Sequence, residues 1–163
     1  MIRRIDKLQR DHAVDAFDCG HQDLNRFLQH YAFINQRSGA STTYVGLADH
    51  SVIGYYSLAV GSVEHAKAPQ RVTQGLAHHA IPIMLLARLA VDAAWQRQGV
   101  GAALLKDAML RTIHAAEIVG IRAFVVHAKD TAAKGFYKHF DFMSSPSDPF
   151  HLFLLLKNVR QLV

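Results

Sequence analysis

Residues 85–102 read Leu85-Leu86-Ala87-Arg88-Leu89-Ala90-Val91-Asp92-Ala93-Ala94-Trp95-Gln96-Arg97-Gln98-Gly99-Val100-Gly101-Ala102, which predicts a buried strand, a tight turn and the start of a long helix. Gly99 and Gly101 lack a Cβ atom, so a ligand can approach the backbone closely there. The first N–H groups of a helix have no partner within the helix, and the helix dipole makes that end positive. The stretch therefore predicts a binding site for a phosphate group.

The two glycines follow a glutamine with the spacing Gln96-x-x-Gly99-x-Gly101. This is neither the dinucleotide pattern G-x-G-x-x-G nor a P-loop, which needs a Gly-Lys-Ser/Thr run. The spacing resembles the Q/R-x-x-G-x-G/A loop that binds the acyl-CoA pyrophosphate in the GNAT N-acetyltransferases. The strand Leu89-Ala90-Val91 before the loop and the amphipathic helix after it stand where that family has them.

The composition indicates a globular protein that works in water. Of the 163 residues, 50% are hydrophobic and 19% are charged, which excludes a disordered chain. We expect residues 1–163 to form a single domain. No apolar run approaches the ~18 residues of a membrane span, and the first residues lack the apolar core of a signal peptide. We therefore expect a cytoplasmic protein with no membrane association.

The net charge, the single cysteine and the adjacent histidines limit which partners and metal sites we expect. The net charge of +5 favours anionic partners such as nucleic acid or CoA. Cys19 is the only cysteine, so no internal disulfide is possible, and we interpret it as a structural thiol. The adjacent His78 and His79 would point in different directions on a helix, so no metal site is expected.

Hydrophobic periodicity predicts a mixed α/β order, with a helix between the central strands and a mixed sheet flanked by helices. Gly54 and Gly61 are expected to mark bulges or close backbone approach. The predicted elements are a helix over 21–37, strands over 42–47, 52–63 and 83–91, a short helix near 70–78, a helix over 99–119 capped by Gly120, a strand over 121–127, a helix over 132–139 capped by Asp130 or Thr131, a polar loop over 143–148 and a strand over 150–156.

Arg88 is unusual because it lies inside the apolar run that predicts a buried strand. A buried arginine needs a partner or a ligand. Two interpretations stay open: the side chain forms an ion pair in the core, or it projects into the site.

A second group of residues is Gly135-Phe136-Tyr137-Lys138-His139-Phe140-Asp141-Phe142. Without other information, a tyrosine between phenylalanines is more often a packing residue. The segment resembles the F-Y-x-x-x-G-F element of the GNAT family, which implies that Tyr137 is the general acid that protonates the departing thiolate. A phenol suits this role because its pKa of about 10 exceeds the thiol value of about 8.5. Asp141 stands where the family usually has glycine, and aspartate tolerates the left-handed conformation.

A closer resemblance covers nearly the whole chain. The TacT/AtaT-type acetyltransferase toxins of type II toxin–antitoxin systems have phrases similar to Phe17-Asp18-Cys19-Gly20, Leu24-Asn25-Arg26-Phe27-Leu28, Gly54-Tyr55-Tyr56-Ser57-Leu58, Leu89-Ala90-Val91-Asp92, Val126-His127-Ala128-Lys129-Asp130, Phe136-Tyr137 and His151-Leu152-Phe153-Leu154. The resemblance implies transfer of acetyl from acetyl-CoA to the α-amine of aminoacyl-tRNA, which blocks translation. It also implies a homodimer and a ribbon-helix-helix antitoxin as partner.

The resemblance assigns site residues in three groups. Tyr137 is the catalytic residue. The acetyl-CoA site comprises Leu89, Ala90, Val91, Gln96, Arg97, Gln98, Gly99, Val100, Gly101, Ala102, Thr131 and Phe136. The tRNA surface, which needs positive charge, comprises Lys67, Arg71, Arg88, Lys129, Lys134 and Lys138.

The sequence shows no obvious acidic general base near these motifs. An α-amine has a pKa of about 7.7–8.0, lowered further by esterification of the carboxyl group, so a strong base is not required. Two alternatives stay open: a GNAT enzyme acting on a small amine or a protein N-terminus, and a non-catalytic acyl-CoA-binding regulatory module. The basic flanks disfavour the first because cationic substrates are often held by acidic residues, and Tyr137 disfavours the second.

Overall fold

The computed structural model describes the backbone of residues 2–162 and the side chains of residues 2–160. The strands of this part are β1 (Arg4–Lys7), β2 (Thr42–Ala48), β3 (Ser51–Val63), β4 (Ile81–Val91), β5 (Ala123–His127), β6 (Met143–Ser144) and β7 (His151–Leu155). The helices are α1 (Gln22–Arg26), α2 (Ala32–Ser38), α3 (Gln70–Thr73), α4 (Val100–Ala116), α5 (Thr131–Lys138) and α6 (Leu156–Leu162). A π-helical turn, Phe27–Tyr31, joins α1 to α2.

The strands form one mixed sheet in the order β1-β2-β3-β4-β5-β7-β6. β4 and β5 are parallel, whereas the pairs β1–β2, β2–β3, β5–β7 and β6–β7 are antiparallel. The long α4 lies between the two parallel strands in the sequence, as a parallel connection requires. The predicted fold class, a mixed sheet flanked by helices, is confirmed.

The chain divides into two compact units, each made of two separate segments. Unit 1 comprises Met1–Ala59 and Ala87–Ala108, and unit 2 comprises Val60–Leu86 and Met109–Val163. The chain passes from one unit to the other inside β3, inside β4 and inside α4.

The core of unit 1 is built around Tyr55 on β3, which is fully buried. The ring of Phe17 meets it edge-on at 5.6 Å, and the ring of Phe27 stacks on it at 6.3 Å. Its hydroxyl donates a hydrogen bond of 2.7 Å to the carbonyl of Leu24 in α1. The helix predicted from the spacing of Leu24, Phe27 and Leu28 is therefore fixed to the sheet by aromatic packing.

The core of unit 2 joins β4, β5 and β7 to the short helix α3 through the buried residues Ala68, Val72, Ile81, Ile83, Ala123, Val125, Phe153 and Leu155. Arg122 fixes the end of α3, since its Nε and a terminal nitrogen donate to the carbonyls of Val72 and Gln74 at 2.9 and 3.0 Å. The predicted helix near 70–78 is thus real but only four residues long.

The apolar face predicted for α4 is confirmed, because Leu104, Leu105, Ala108 and Met109 are all buried. The predicted cap at Gly120 is wrong. The helix ends at Ala116, and the chain leaves it through a turn in which the N–H of Val119 bonds to the carbonyl of Ala115. Gly120 does not have the positive φ of a left-handed cap.

Two elements near the C-terminus differ from expectation. Met143 and Ser144, predicted in a polar loop, form the edge strand β6 by pairing with Phe153 and Leu152 of β7. A two-residue strand has no period to detect, so only its partner reveals it. The helix α6 follows β7 directly and was not predicted.

Within the part of the chain that the structure covers, no helix combines the length and apolarity needed to cross a membrane. The same residues contain no cluster of three or more histidine, cysteine or acidic side chains able to bind a metal ion.

Gly54 marks a close backbone approach, as predicted. A Cβ atom there would lie 2.8 Å from Cδ1 of Leu104 and 3.1 Å from the carbonyl oxygen of Ala90. At Gly61 a Cβ atom would make an ordinary contact of 3.4 Å with Ile83.

Replacing Gly54 with valine should therefore lower the free energy of unfolding by about 1–3 kcal/mol, because the Ala90 backbone cannot move away. Thermal denaturation followed by circular dichroism would measure the loss. The control is Gly120→Val, because nothing lies within 4 Å of a Cβ atom at Gly120. Equal stability of the two variants would contradict the close packing assigned to Gly54.

Candidate active site

Within the backbone that the structure describes, the second half of β4 has no partner strand on its β5 side. The parallel pairing runs from Ile83 to Leu86 on β4 and from Ala123 to Val126 on β5, whereas β4 continues to Val91. Backbone groups of the predicted cofactor residues Leu89, Ala90 and Val91 lie in this unpaired part. An extended ligand with amide groups could therefore bind here as an added strand does, through the backbone.

The loop after β4 is fixed by two side chains of unit 1. Asp92 accepts hydrogen bonds from the N–H of Ala94 at 2.9 Å and from the N–H of Asp18 at 3.1 Å. Nε2 of Gln96 donates to the carbonyls of Val91 and Cys19 at 2.9 and 3.1 Å. Both N–H groups of the Gln96 side chain are thus used to shape the loop, so the side chain has no donor left for a phosphate.

The loop ends in a conformation that exposes the start of α4. Arg97 has φ +62° and Gly99 has φ +83°, both in the left-handed region. The hydrogen bond from the N–H of Ala103 to the carbonyl of Gly99, 3.1 Å long, is the first of the helix. The N–H groups of Val100, Gly101 and Ala102 precede it, so they have no partner within the helix, which is the arrangement that favours anion binding at a helix N-terminus.

This loop leaves room for a ligand to approach. No atom lies within 4 Å of the position that a Cβ of Gly99 would take. Arg97 and Gln98 are exposed beside it. The structure thus brings together the predicted residues 96–102 as one glycine-containing turn at a helix N-terminus, of which residues 96–99 are exposed.

Tyr137 lies on α5, which begins where Asp130 accepts a hydrogen bond of 2.8 Å from the N–H of Ala133. Of the two predicted caps, Asp130 is the N-cap and Thr131 is the first helical residue. Thr131 is exposed, whereas Phe136 is partly buried and meets Tyr137 edge-on at 5.1 Å.

The side chain of Tyr137 is only 6% exposed, and its ring also packs against Phe142 at 5.4 Å. Burial raises the pKa of its hydroxyl above the ordinary value of 10, so the phenol is protonated at neutral pH. The hydroxyl makes no hydrogen bond within residues 2–162. The phenolic proton of Tyr137 therefore has no acceptor among the described residues.

Asp141 follows this helix with φ +70°, so the left-handed conformation predicted for it is confirmed. The turn bends the chain back so that the N–H of Phe142 comes within 3.4 Å of the carbonyl of Tyr137. The phenylalanine can then pack on the tyrosine ring. Aspartate here performs the backbone role of glycine.

Arg88 lies in the unpaired half of β4 and is partly buried. The central carbon of its guanidinium lies 3.6 Å from the centre of the Phe27 ring, in a cation–π contact. The guanidinium makes no hydrogen bond or ion pair with any side chain described, those of residues 2–160. Of the two interpretations left open by the sequence, the ion pair in the core is therefore not seen.

The other predicted tRNA-binding residues, Lys67, Arg71, Lys129, Lys134 and Lys138, all belong to unit 2. All but Lys134 are exposed, and Nζ of Lys134 lies 5.3 Å from the Phe150 ring centre. Lys67 pairs with Glu64 at 3.6 Å, while its carbonyl accepts a 2.6 Å hydrogen bond from Ser145.

A histidine pair in unit 2 was not found from the sequence. The rings of His127 and His151 stack with centroids 3.9 Å apart, and Nε2 of His151 lies 3.3 Å from a carboxylate oxygen of Asp148. The two histidines are paired residues of β5 and β7. Burial, and secondly the neighbouring His151, lower the pKa of His127, while Asp148 partly opposes this.

The neutral form of His127 is therefore favoured in the folded protein. Because its pKa is lower folded than unfolded, this residue makes stability fall as the pH drops below the ordinary histidine value of 6.5. Titration by NMR should give His127 a pKa below 6.5, and His151→Asn should raise it. A pKa above 6.5 in the wild type would contradict the assignment.

The acetyltransferase (GNAT) domain profile matches residues 39–144. Together with a loop that exposes a helix N-terminus and a strand with a free backbone edge, this match defines the class: the chain belongs to the GNAT acetyltransferase family.

Similar proteins and structures indicate which kind of GNAT acetyltransferase this chain resembles. The tRNA-acetylating toxin of Mycobacterium tuberculosis (strain ATCC 25618 / H37Rv) is 45% identical over 150 residues, which cover 92% of this chain and 90% of that protein. The structure of AtaT complexed with acetyl-methionyl-tRNAfMet matches with a TM-score of 0.89 and 30% identity, covering 98% of both chains.

A third similar structure contains both an antitoxin and a cofactor. It is a tyrosine-to-phenylalanine mutant of the AtaT toxin bound to the C-terminus of the antitoxin AtaR and acetyl-CoA. It matches with a TM-score of 0.83 and 31% identity, covering 98% of this chain and 96% of that one.

Proposed function

We propose that this protein is a toxin that transfers the acetyl group of acetyl-CoA to the α-amine of aminoacyl-tRNA and thereby blocks translation. The observation that carries the proposal is the likeness, along nearly the whole chain, to a protein named as a tRNA-acetylating toxin. The geometry of both units supports the same chemistry.

The residues of unit 1 fit acetyl-CoA. The free N–H groups at the start of α4 and the exposed Arg97 would bind its pyrophosphate. Backbone groups of Leu89, Ala90 and Val91 would bind the amide-bearing arm, as the unpaired edge of β4 allows. Gln98 is a further proposed cofactor contact in unit 1, and Thr131 and Phe136 are the cofactor contacts proposed for unit 2. When bound, acetyl-CoA supplies the acetyl group as an activated thioester.

Tyr137 is proposed as the general acid. Its hydroxyl holds a proton at neutral pH because burial raises its pKa, and it makes no hydrogen bond within residues 2–162. It would give this proton to the sulfur as the carbon–sulfur bond breaks. The esterified α-amine, whose pKa lies below 7.7–8.0, is partly neutral without a strong base.

The tRNA surface is proposed to comprise Lys67, Arg71, Arg88, Lys129, Lys134 and Lys138. Positive side chains bind phosphates and release counterions. Lys67 forms an ion pair with Glu64, so its contribution to tRNA binding should be smaller than that of the other lysines.

We also propose that the two units act as one acetyltransferase domain and that the protein is a cytoplasmic homodimer controlled by a ribbon-helix-helix antitoxin. Tyr31 and Ile34, one turn apart on the helical segment of unit 1, are 52% and 64% exposed. Adjacent apolar side chains in water favour a protein contact there. Light scattering of the protein alone and with the antitoxin would test the assembly.

Tyr137→Phe should lower kcat for acetyl transfer by about 10²–10⁴-fold, because only the acid proton is removed. Calorimetry should show unchanged affinity for acetyl-CoA. Tyr31→Phe is the control, since it also loses a hydroxyl but at the surface. Turnover of Tyr137→Phe near that of the wild type would refute the assigned role.

Gly101→Val should weaken acetyl-CoA binding at least about tenfold, because the new side chain blocks approach to the backbone at the start of α4. Calorimetric titration would measure the affinity, with Gly120→Val as the control. Unchanged affinity would mean that the phosphate loop is misplaced.

The function itself is tested with labelled acetyl-CoA and a set of charged tRNAs, with Tyr137→Phe beside the wild type. Label on aminoacyl-tRNA with the wild type only is the expected result. Label on small amines or protein N-termini instead would favour an ordinary GNAT enzyme. Binding of acetyl-CoA with no transfer to any acceptor would favour a regulatory module.

A further inference from the structure

Arg88 is the residue of the proposed tRNA surface that lies on β4, directly before the proposed cofactor contacts Leu89, Ala90 and Val91. It is partly buried, its guanidinium lies 3.6 Å from the centre of the Phe27 ring, and it makes no hydrogen bond or ion pair within residues 2–162. A charge withdrawn from water without an anionic partner is costly. The cation–π contact uses none of the five N–H donors of the guanidinium.

Among the residues whose side chains the structure describes, no carboxylate forms an ion pair with Arg88. The hydroxyl of the neighbouring Tyr55, which packs on the same Phe27 ring, donates its proton to the carbonyl of Leu24. Asp23, the acidic residue of α1, does not form an ion pair with it. A planar set of free donors resting on an aromatic ring is suited to a phosphate or carboxylate that arrives with a ligand.

The position of Arg88 along β4 indicates which ligand brings this anion. Arg88 lies three residues before Val91, about 10 Å from the end of the strand where the phosphate loop begins. The CoA pyrophosphate is assigned to that loop, and the arm of the cofactor to Leu89, Ala90 and Val91. Arg88 therefore precedes the cofactor contacts, at the end of the arm where the acetyl group and its acceptor meet.

We infer that Arg88 binds the phosphate that joins the terminal adenosine of the charged tRNA to the preceding nucleotide. This inference rests on the proposed function and deepens it. That phosphate is the one nearest to the α-amine, separated from it by the terminal ribose and the ester. A bidentate contact to it would place the amine for attack, whereas the exposed lysines bind the tRNA less specifically.

Two acceptors test this contact directly. One is an aminoacyl group joined by a stable amide to 3′-amino-adenosine, which has no phosphate; the other carries one additional cytidylate and hence one phosphodiester. The amino acid is the one accepted by the wild type on tRNA. The measured quantity is kcat/KM at saturating acetyl-CoA for the wild type, Arg88→Gln and Arg88→Lys. The matched control is Arg10→Gln, because Arg10 also lies over a phenylalanine ring, that of Phe33, but at the surface.

The wild type should prefer the dinucleotide acceptor by about 10–100-fold, the range of a charge-assisted hydrogen bond. Arg88→Gln should abolish this preference and change the reaction of the adenosine acceptor less than about threefold. Arg88→Lys should keep only part of the preference, since an ammonium lacks the fork. With intact charged tRNA, Arg88→Gln should reduce the slope of log kcat/KM against log salt by about 0.7.

Three outcomes would overturn the inference. An equal loss with both acceptors would mean that Arg88 acts on the fold or the chemistry. An increased KM for acetyl-CoA would assign the anion to the cofactor. An unchanged salt slope with tRNA would exclude a phosphate contact. If the wild type acetylates no charged tRNA at all, the proposed function is refuted, and this inference is refuted with it.

Discussion

The site depends on the point where β4 and β5 stop pairing. Up to Leu86 and Val126 the two strands satisfy each other's backbone groups. Beyond it, β4 continues for five residues without a partner on that side, so hydrogen-bonding capacity is left for a ligand. Arg88, the proposed cofactor contacts Leu89, Ala90 and Val91, and the approach to the phosphate loop all lie in or directly after this unpaired segment.

The parts of the structure that the sequence predicted are those set by local chemistry. The glycines before α4, the apolar face of that helix and the cap of α5 by Asp130 depend on neighbours within a few residues. The same holds for Asp141, whose left-handed backbone follows from what aspartate tolerates. Such local signals can be detected in a single sequence because packing between distant residues does not change them.

The parts that were missed depend on residues far apart in the chain. β6 exists only because Met143 and Ser144 meet β7, and the His127–His151 stack arises from strand register across 24 positions. The sequence placed the end of α4 too late because Gly120 resembles a helix cap. The helix ends at Ala116, and the chain turns before it reaches Gly120. The sequence identified Arg88 as an arginine in a buried strand that needs a partner or a ligand. Only the structure shows that no carboxylate in the described chain pairs with it.

The division of each unit between two separate segments bears on how the protein emerges from the ribosome. Segment 60–86 of unit 2 is synthesised before the second segment of unit 1 and must wait for residues beyond 109 before its own strands have partners. β5 gains β7 only when residue 155 has left the exit tunnel. A chain that ends before β7 therefore lacks the complete core of unit 2 and with it the folded setting of Tyr137.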